Sequence, residues 1–263
     1  MMDALTGPPP APSCPQERPL AAVTGTLYGV GMGPGNPDYL TVRAVRVLER
    51  AHHLVHFCKA GRRGNARTIA DAVVRDPARE WPLAYPYTTE LPPEDPTYVS
   101  ALARFYDEAA AEMAQALGAG RDVAILSEGD PFFYGSFMHL WRRLKDRFPV
   151  EVVPGVTGMS GCWTRAGTPI TWGDDVLTVL PATLPGPVLA RRLADTDAAV
   201  IMKLGRHLPK VRAALAQAGL LGRAVYVERG TMAGEAIVPL AEKPDESAPY
   251  FSIVLVPGEG RRP

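Results

Sequence analysis

The sequence predicts an α/β chain, and three observations carry that expectation. Runs such as Asp122 to Leu126 and Ala198 to Met202 are apolar, of strand length, and bounded by turn residues. The segments between such runs place apolar residues at helical spacing, as Phe137, Leu140, Trp141 and Leu144 do. Finally, 263 residues suffice for one large domain or two small ones with their own cores. Lys plus Arg and Asp plus Glu are each 28, so the formal charge is zero. That balance speaks against a protein that depends on phosphate-backbone attraction, and no nucleic acid partner is expected. No apolar run approaches the ~20 residues that span a bilayer, so no membrane partner is expected either. The start of the chain has neither the basic nor the apolar region of a signal peptide. Cys14, Cys58 and Cys162 lie far apart in no CxxC pattern, which suits reduced thiols in a cytoplasmic protein.

Taken in order, residues 1 to 24 hold six of the 27 prolines and three charged side chains, Asp3, Glu17 and Arg18. Such a segment has little to bury and is expected to be a disordered tail. Thr26 to Val30 reads as the first strand and runs into a loop with glycines at 29, 31, 33 and 35 and prolines at 34 and 37. The dinucleotide fingerprint fails there, because its third glycine falls on Pro34, Asn36 or Asp38, and no Gly-Lys-Ser/Thr follows. The loop is either a tight crossover turn or a surface able to lie close to a bulky ligand. Leu40, Ala44, Val47, Leu48 and Ala51 mark a helix, and Leu54 to Cys58 the next strand. His52, His53 and His56 straddle that boundary, where helical spacing lapses, so no metal site is expected. Asn65 is placed to cap a helix through Val74. Trp81 to Tyr87 is a strand or a ligand-facing loop, and Tyr98 to Leu117 a long amphipathic helix.

The central stretch is Leu126-Ser127-Glu128-Gly129-Asp130-Pro131-Phe132-Phe133-Tyr134-Gly135-Ser136, where a strand stops and a helix begins. In an open parallel sheet, ligands sit at the carboxyl ends of strands. Gly129 permits close backbone approach, and Asp130 serves either as a cap for the next helix or as an acceptor toward a ligand. Glu151 to Val153 is a further strand, ending in a run of small residues, Gly155 to Gly161, suited to a flat ligand or to close helix packing. Strands at Val176 to Leu180, Ala198 to Met202, Ala224 to Glu228 and Tyr250 to Val256 follow, with helices at Pro187 to Ala194 and Leu208 to Ala218.

Three blocks together carry a resemblance. Val30-Gly31-Met32-Gly33-Pro34-Gly35 with Leu40-Thr41, Glu128-Gly129-Asp130-Pro131 with Tyr134-Gly135, and Val153-Pro154-Gly155-Val156-Thr157 resemble the signatures of the tetrapyrrole methylases. The likeness covers residues 25 to 258. Further blocks resemble the branch that methylates precorrin-2 at C(20): Tyr87-Thr88-Thr89-Glu90, Phe137-Met138-His139-Leu140, Lys203-Leu204-Gly205-Arg206, Tyr226-Val227-Glu228-Arg229 and Pro249-Tyr250-Phe251-Ser252. Gly158 and Gly230 depart from the pattern, each as one small residue for another.

The resemblance implies an α/β protein of two domains: a mainly parallel N-terminal sheet (25–155), a mixed C-terminal sheet (156–258), a short tail (259–263), and an active-site cleft between the domains. It implies S-adenosyl-L-methionine as methyl donor, a tetrapyrrole substrate (precorrin-2) and a homodimer. Donor contacts carried over by position are Pro34, Glu128, Gly129, Asp130, Phe133, Tyr134, Thr157, Gly158, Leu204 and Gly230. The opening loop then lies toward the tetrapyrrole. No catalytic residue is assigned. Arg62, Arg63, Arg67, Arg165, Arg206 and Arg229 are candidates to meet the carboxylates of the substrate. A cobalt-containing substrate, or a nucleotide-binding module without chemistry, are the competing expectations.

Overall fold

A computed structural model of the chain describes residues 23–87 and 95–260. The expected tail therefore falls outside the described residues apart from Val23 and Thr24, as do Thr88 to Glu90 and residues 261–263.

Two five-stranded sheets follow one another along the chain. The first holds β1 (Leu27–Gly31), β2 (His53–Lys59), β3 (Glu80–Tyr85), β4 (Val123–Ser127) and β5 (Val150–Val153). All are parallel, in the order β3-β2-β4-β1-β5. The second holds β6 (Leu177–Pro181), β7 (Ala198–Met202), β8 (Val225–Glu228), β9 (Ala236–Pro239) and β10 (Ser252–Val256), in the order β6-β7-β10-β8-β9. There β6 and β7 are parallel and the other pairings antiparallel. Seven helices accompany them among the described residues: α1 (Val42–Arg50), α2 (Asn65–Ile69), α3 (Pro96–Gly118), α4 (Phe137–Leu144), α5 (Gly158–Arg165), α6 (Gly186–Ala194) and α7 (Leu208–Gln217).

The apolar continuity of β4 has a simple cause. Every one of its residues is buried, because helices cover both faces of a parallel sheet. Val123 and Ile125 face α3 and α4, joining Met113, Leu117, Phe137, Leu140 and Leu144. Ala124 and Leu126 point the other way, joining Val47 and Leu48 of α1 and Ile69 of α2. Phe137 is fully buried, and the far end of its ring fits against β1 where Gly29 leaves room. A methyl at Gly29 would stand 2.5 Å from Phe137 Cζ.

The second sheet follows the same rule with different helices. Leu189 and Leu193 of α6 and Val211 and Leu215 of α7 cover one face with Ile201, Tyr226 and Val254. Its other face is covered by α5, whose Cys162 packs with Val200, Val227, Ile253 and Leu255. Since α5 follows β5 of the first sheet, it is the helix that ties the sheets together.

Several local expectations change. Asn65 opens α2 rather than capping it; Gly64 is the N-cap and has no side chain to close that end. The helix also stops short of Val74, tightening into a 3₁₀ turn at Ala70–Ala72. Asp130 does not cap α4, which starts after Ser136. Trp81 to Tyr85 belongs to a strand, and Pro82 is tolerated because β3 is the sheet edge, paired only with β2. Helix α5 and strand β9 were not anticipated.

The three histidines go to separate partners. His52 Nδ1 accepts from the Asp122 N–H at 3.0 Å. His53 stands edge-on to Trp81. His56 is buried, with Nε2 3.9 Å from Glu80. Among the described residues no three His, Cys, Asp or Glu side chains are grouped to hold a metal ion.

Two measurements test this packing. Phe137→Ala is expected to cost about 3–5 kcal/mol in urea denaturation. Gly29→Ala should then cost less in the Phe137→Ala background than in the wild type, and simple additivity would contradict the ring-on-glycine contact. His56 supplies the second. Burial holds its imidazole below the ordinary value of 6.5, with Glu80 opposing. As pH falls through that value the unfolded chain protonates first, so the residue withdraws stability on the acid side and has no effect above it. His56→Gln should therefore lose less melting temperature than the wild type between about pH 7.5 and 5.5.

Candidate functional site

Three strand ends meet with almost nothing between them. A methyl at Gly31 would lie 2.5 Å from the Gly155 backbone, and one at Gly155 would lie 2.0 Å from Gly129 O. Gly129 itself has φ +64°, a conformation glycine adopts without cost. The loop after β1 is laced to the turn after β4 by two backbone hydrogen bonds, Gly33 N–H to Gly129 O and Gly129 N–H to Gly33 O. Asp130 completes the junction. Its Oδ1 accepts from the Phe132 N–H at 2.9 Å and its Oδ2 from the Gly155 N–H at 3.1 Å, so one carboxylate spans the turns after β4 and β5.

Helix α5 carries the junction toward the second sheet. Thr157 caps it, accepting from the Ser160 N–H. A methyl at Gly129 would come into van der Waals contact with Thr157 and Gly158, while the space beside Gly158 is open. One turn on, Gly161 leaves room for Pro34, and Cys162 fills the space beside Gly230. Burial there pushes the Cys162 thiol up to about 12, which leaves it protonated and unsuited to act as a nucleophile.

Across from this junction stand the ends of β7 and β8. Lys203 lies just past β7, and its Nζ sits 4.7 Å from the centre of the Tyr134 ring, a cation–π contact between the two sheets' loops. Leu204 beside it is buried in the second core. Tyr134, Lys203, Arg229 and Thr231 are the non-glycine residues with positive φ among those described, at 57°, 58°, 50° and 69°. Arg229 and Thr231 flank the opening between the sheets, and Tyr134 and Lys203 meet each other from its two sides.

That opening contains a cavity of about 530 Å³. Gly35, Asn36 and Pro37 line it from the loop after β1, and Asn65, Thr68 and Ile69 from α2. Arg229, Thr231, Met232, Ala233 and Phe251 line it from the second half of the chain. Glu128 is tied to the helix that supplies part of that lining: its Oε1 accepts from the N–H of Ala66, the neighbour of Asn65, at 3.2 Å. Surrounding protein raises the Glu128 carboxyl above its ordinary value, with its own backbone and Ala66 N–H opposing, although the side chain keeps access to solvent. Its charge is felt by Tyr85 in β3, a phenol that burial raises first of all, and by Tyr250, which stands largely exposed before β10.

The ten residues expected at the donor site are thus gathered at the ends of β1, β4, β5, β7 and β8. Gly129, Asp130, Thr157 and Gly158 form one continuous surface, with Phe133 and Tyr134 beside it. Pro34 and Gly230 act as packing partners of α5. The arginines divide. Arg63 and Arg67 are engaged by Asp71 and Glu80, and Arg165 by Glu235 in a two-pronged pair. Only Arg229 of the six lines the cavity. Tyr85 was not singled out from the sequence; Lys203 and Tyr250 lie within blocks that carried the resemblance but were given no role there.

The chain belongs to the tetrapyrrole (corrin/porphyrin) methylases, whose family profile matches residues 26–244. Over 239 residues it is 57% identical to the precorrin-2 C(20)-methyltransferase of Sinorhizobium sp, covering 91% of this chain and 98% of that one. It is 30% identical to the cobalt-precorrin-2 C(20)-methyltransferase of Salmonella typhimurium strain LT2 over 240 residues, or 89% and 97% of the two chains. The fold is shared with uroporphyrin-III C-methyl transferase from Thermus thermophilus complexed with S-adenyl homocysteine, at a TM-score of 0.61 and 24% identity, covering 89% of this chain and 98% of that one. Both sheets are therefore those of the family. No helix among the described residues is long and apolar enough to cross a membrane.

Removing the carboxylate of Asp130 tests the junction. Asp130→Ala leaves the Gly155 and Phe132 N–H groups without their acceptor and is expected to cost about 1–3 kcal/mol in chemical denaturation, with Asp130→Asn between it and the wild type. Equal stability of all three would show that the bridge contributes nothing.

Proposed function

We propose that this protein transfers the methyl group of S-adenosyl-L-methionine to C(20) of precorrin-2, giving precorrin-3A in cobalamin biosynthesis. The observation that carries the reading is the 57% identity to a precorrin-2 C(20)-methyltransferase over 98% of that relative's length. The relative named for the cobalt-containing substrate is 30% identical, and on that contrast the metal-free substrate is preferred. We take the chain to divide near residues 155 and 156, and on family likeness to work as a cytoplasmic homodimer.

The donor is assigned to the surface formed by Glu128, Gly129, Asp130, Phe133, Tyr134, Thr157 and Gly158, closed by Pro34, Leu204 and Gly230. The fit rests on backbone. Gly129 turns the chain in a left-handed conformation, and Gly158 has open space beside it. The tetrapyrrole is assigned to the neighbouring cavity, where Arg229 stands ready for one of its carboxylates. The sulfonium already carries its leaving group, and the meso carbon is electron-rich. The protein's work is then to hold the methyl and that carbon in line and to keep water out, which in favourable cases supplies ~7–11 kcal/mol. No covalent bond to the protein is required.

Incubation with the donor and precorrin-2 should yield S-adenosylhomocysteine and a tetrapyrrole heavier by one methylene, with the label at C(20) by NMR. A label at another position, or turnover of the cobalt substrate alone, would overturn the assignment. Arg229→Gln should raise the KM for the tetrapyrrole about tenfold while the Kd for the donor, by calorimetry, stays put.

A further inference from the structure

Methylating a meso carbon that bears hydrogen leaves a proton to remove, and no residue has yet been given that task. We propose that Glu128 is the base that takes the C(20) proton. The inference rests on the reading above and deepens it. Its basis is position: Glu128 directly precedes the Gly129-Asp130 turn assigned to the donor, and its carboxylate is tied to Ala66 of α2, the helix whose Asn65, Thr68 and Ile69 line the cavity assigned to the macrocycle. It therefore stands where the two ligands must meet. The Ala66 N–H holds Oε1 at 3.2 Å, and Oε2 is the oxygen assigned to the proton.

The groups facing Glu128 suit this task. Tyr85 reaches it from β3, where burial raises it, and the largely exposed Tyr250 approaches from the segment before β10; both are phenols and neutral near pH 7. Arg229 lines the same cavity from the β8 end. The raised carboxyl makes Glu128 a stronger base than an ordinary carboxylate, yet its solvent access gives the proton a way out.

The step balances. The C(20) π electrons form the new C–CH₃ bond as the S–CH₃ bond breaks and its electron pair stays on sulfur. The cation left on the macrocycle then loses the C(20) proton to Glu128 Oε2, and the C–H electron pair restores conjugation. Glu128 returns the proton to solvent through the cavity.

The test uses single-turnover methylation of precorrin-2 carrying hydrogen or deuterium at C(20), with the wild type and Glu128→Gln, across about pH 5 to 8. Gln keeps an oxygen for the Ala66 N–H but cannot take a proton. The variant is expected to be about 10²–10⁴-fold slower, with a C(20) isotope effect larger than that of the wild type. Its Kd for S-adenosylhomocysteine should move by less than about threefold, since the donor is assigned to backbone here. The wild-type rate should fall on the acid side of the raised carboxyl, and the variant should lack that limb. A variant as fast as the wild type, or one that keeps the acid limb, overturns the proposal. Should Glu128→Gln fail to fold by circular dichroism, the wild-type profile decides alone: an acid limb above the ordinary carboxylate range supports it, and a flat profile overturns it. A wild type that methylates no tetrapyrrole removes the functional reading together with this one, whereas an active wild type and an equally active variant remove this one alone.

Discussion

The backbone contact among Gly31, Gly129 and Gly155 is the constraint on which the rest of the molecule depends. Three parallel strand ends approach until no side-chain carbon fits between them. Asp130 then closes the gap between the turns after β4 and β5 with a single carboxylate. A junction made of main chain has two properties a side-chain junction lacks. It presents peptide groups at fixed positions, and it leaves the surface above it open for a flat or bulky ligand.

Helix α5 converts that junction into a relation between two sheets. Its first residues stand beside the Gly129 turn, while Cys162 within it enters the core under β8 and β10. The loops that carry Lys203, Arg229 and Thr231 are thereby set against the loops that carry Pro34 and Tyr134. The cavity follows from this arrangement, since its lining comes from both halves of the chain. Family membership and geometry therefore point to the same place. The profile match begins at residue 26, just before β1, and runs through β9.

Most of the first sheet was legible because burial on both faces writes itself as an unbroken apolar run, as in β4. The site was legible for a different reason: close backbone approach demands glycine, and glycine is visible in a sequence. What escaped is instructive. The stretch that forms α5 begins Gly158-Met159-Ser160-Gly161, and two glycines in one turn argue against a helix by propensity alone. The Thr157 cap and the packing of Pro34 and Gly230 against it override that. Strand β9 is short and half-exposed, so it lacks the apolar signature of its neighbours. The arginines were not separable in the sequence either. Asp71 stands four residues from Arg67, a pair that helical spacing can announce, but Glu80 lies 13 residues from Arg67 and Glu235 lies 70 from Arg165, and nothing local announces those.

The four left-handed side-chain-bearing residues at the rim, Tyr134, Lys203, Arg229 and Thr231, have a practical bearing. Each holds a backbone shape that glycine would accept more comfortably, at a cost on the order of 1–3 kcal/mol. Engineers seeking a hardier enzyme would find relief at these positions and would spoil the rim in taking it. Robustness is better sought on the outward surfaces of α3 and α6, leaving this tension in place.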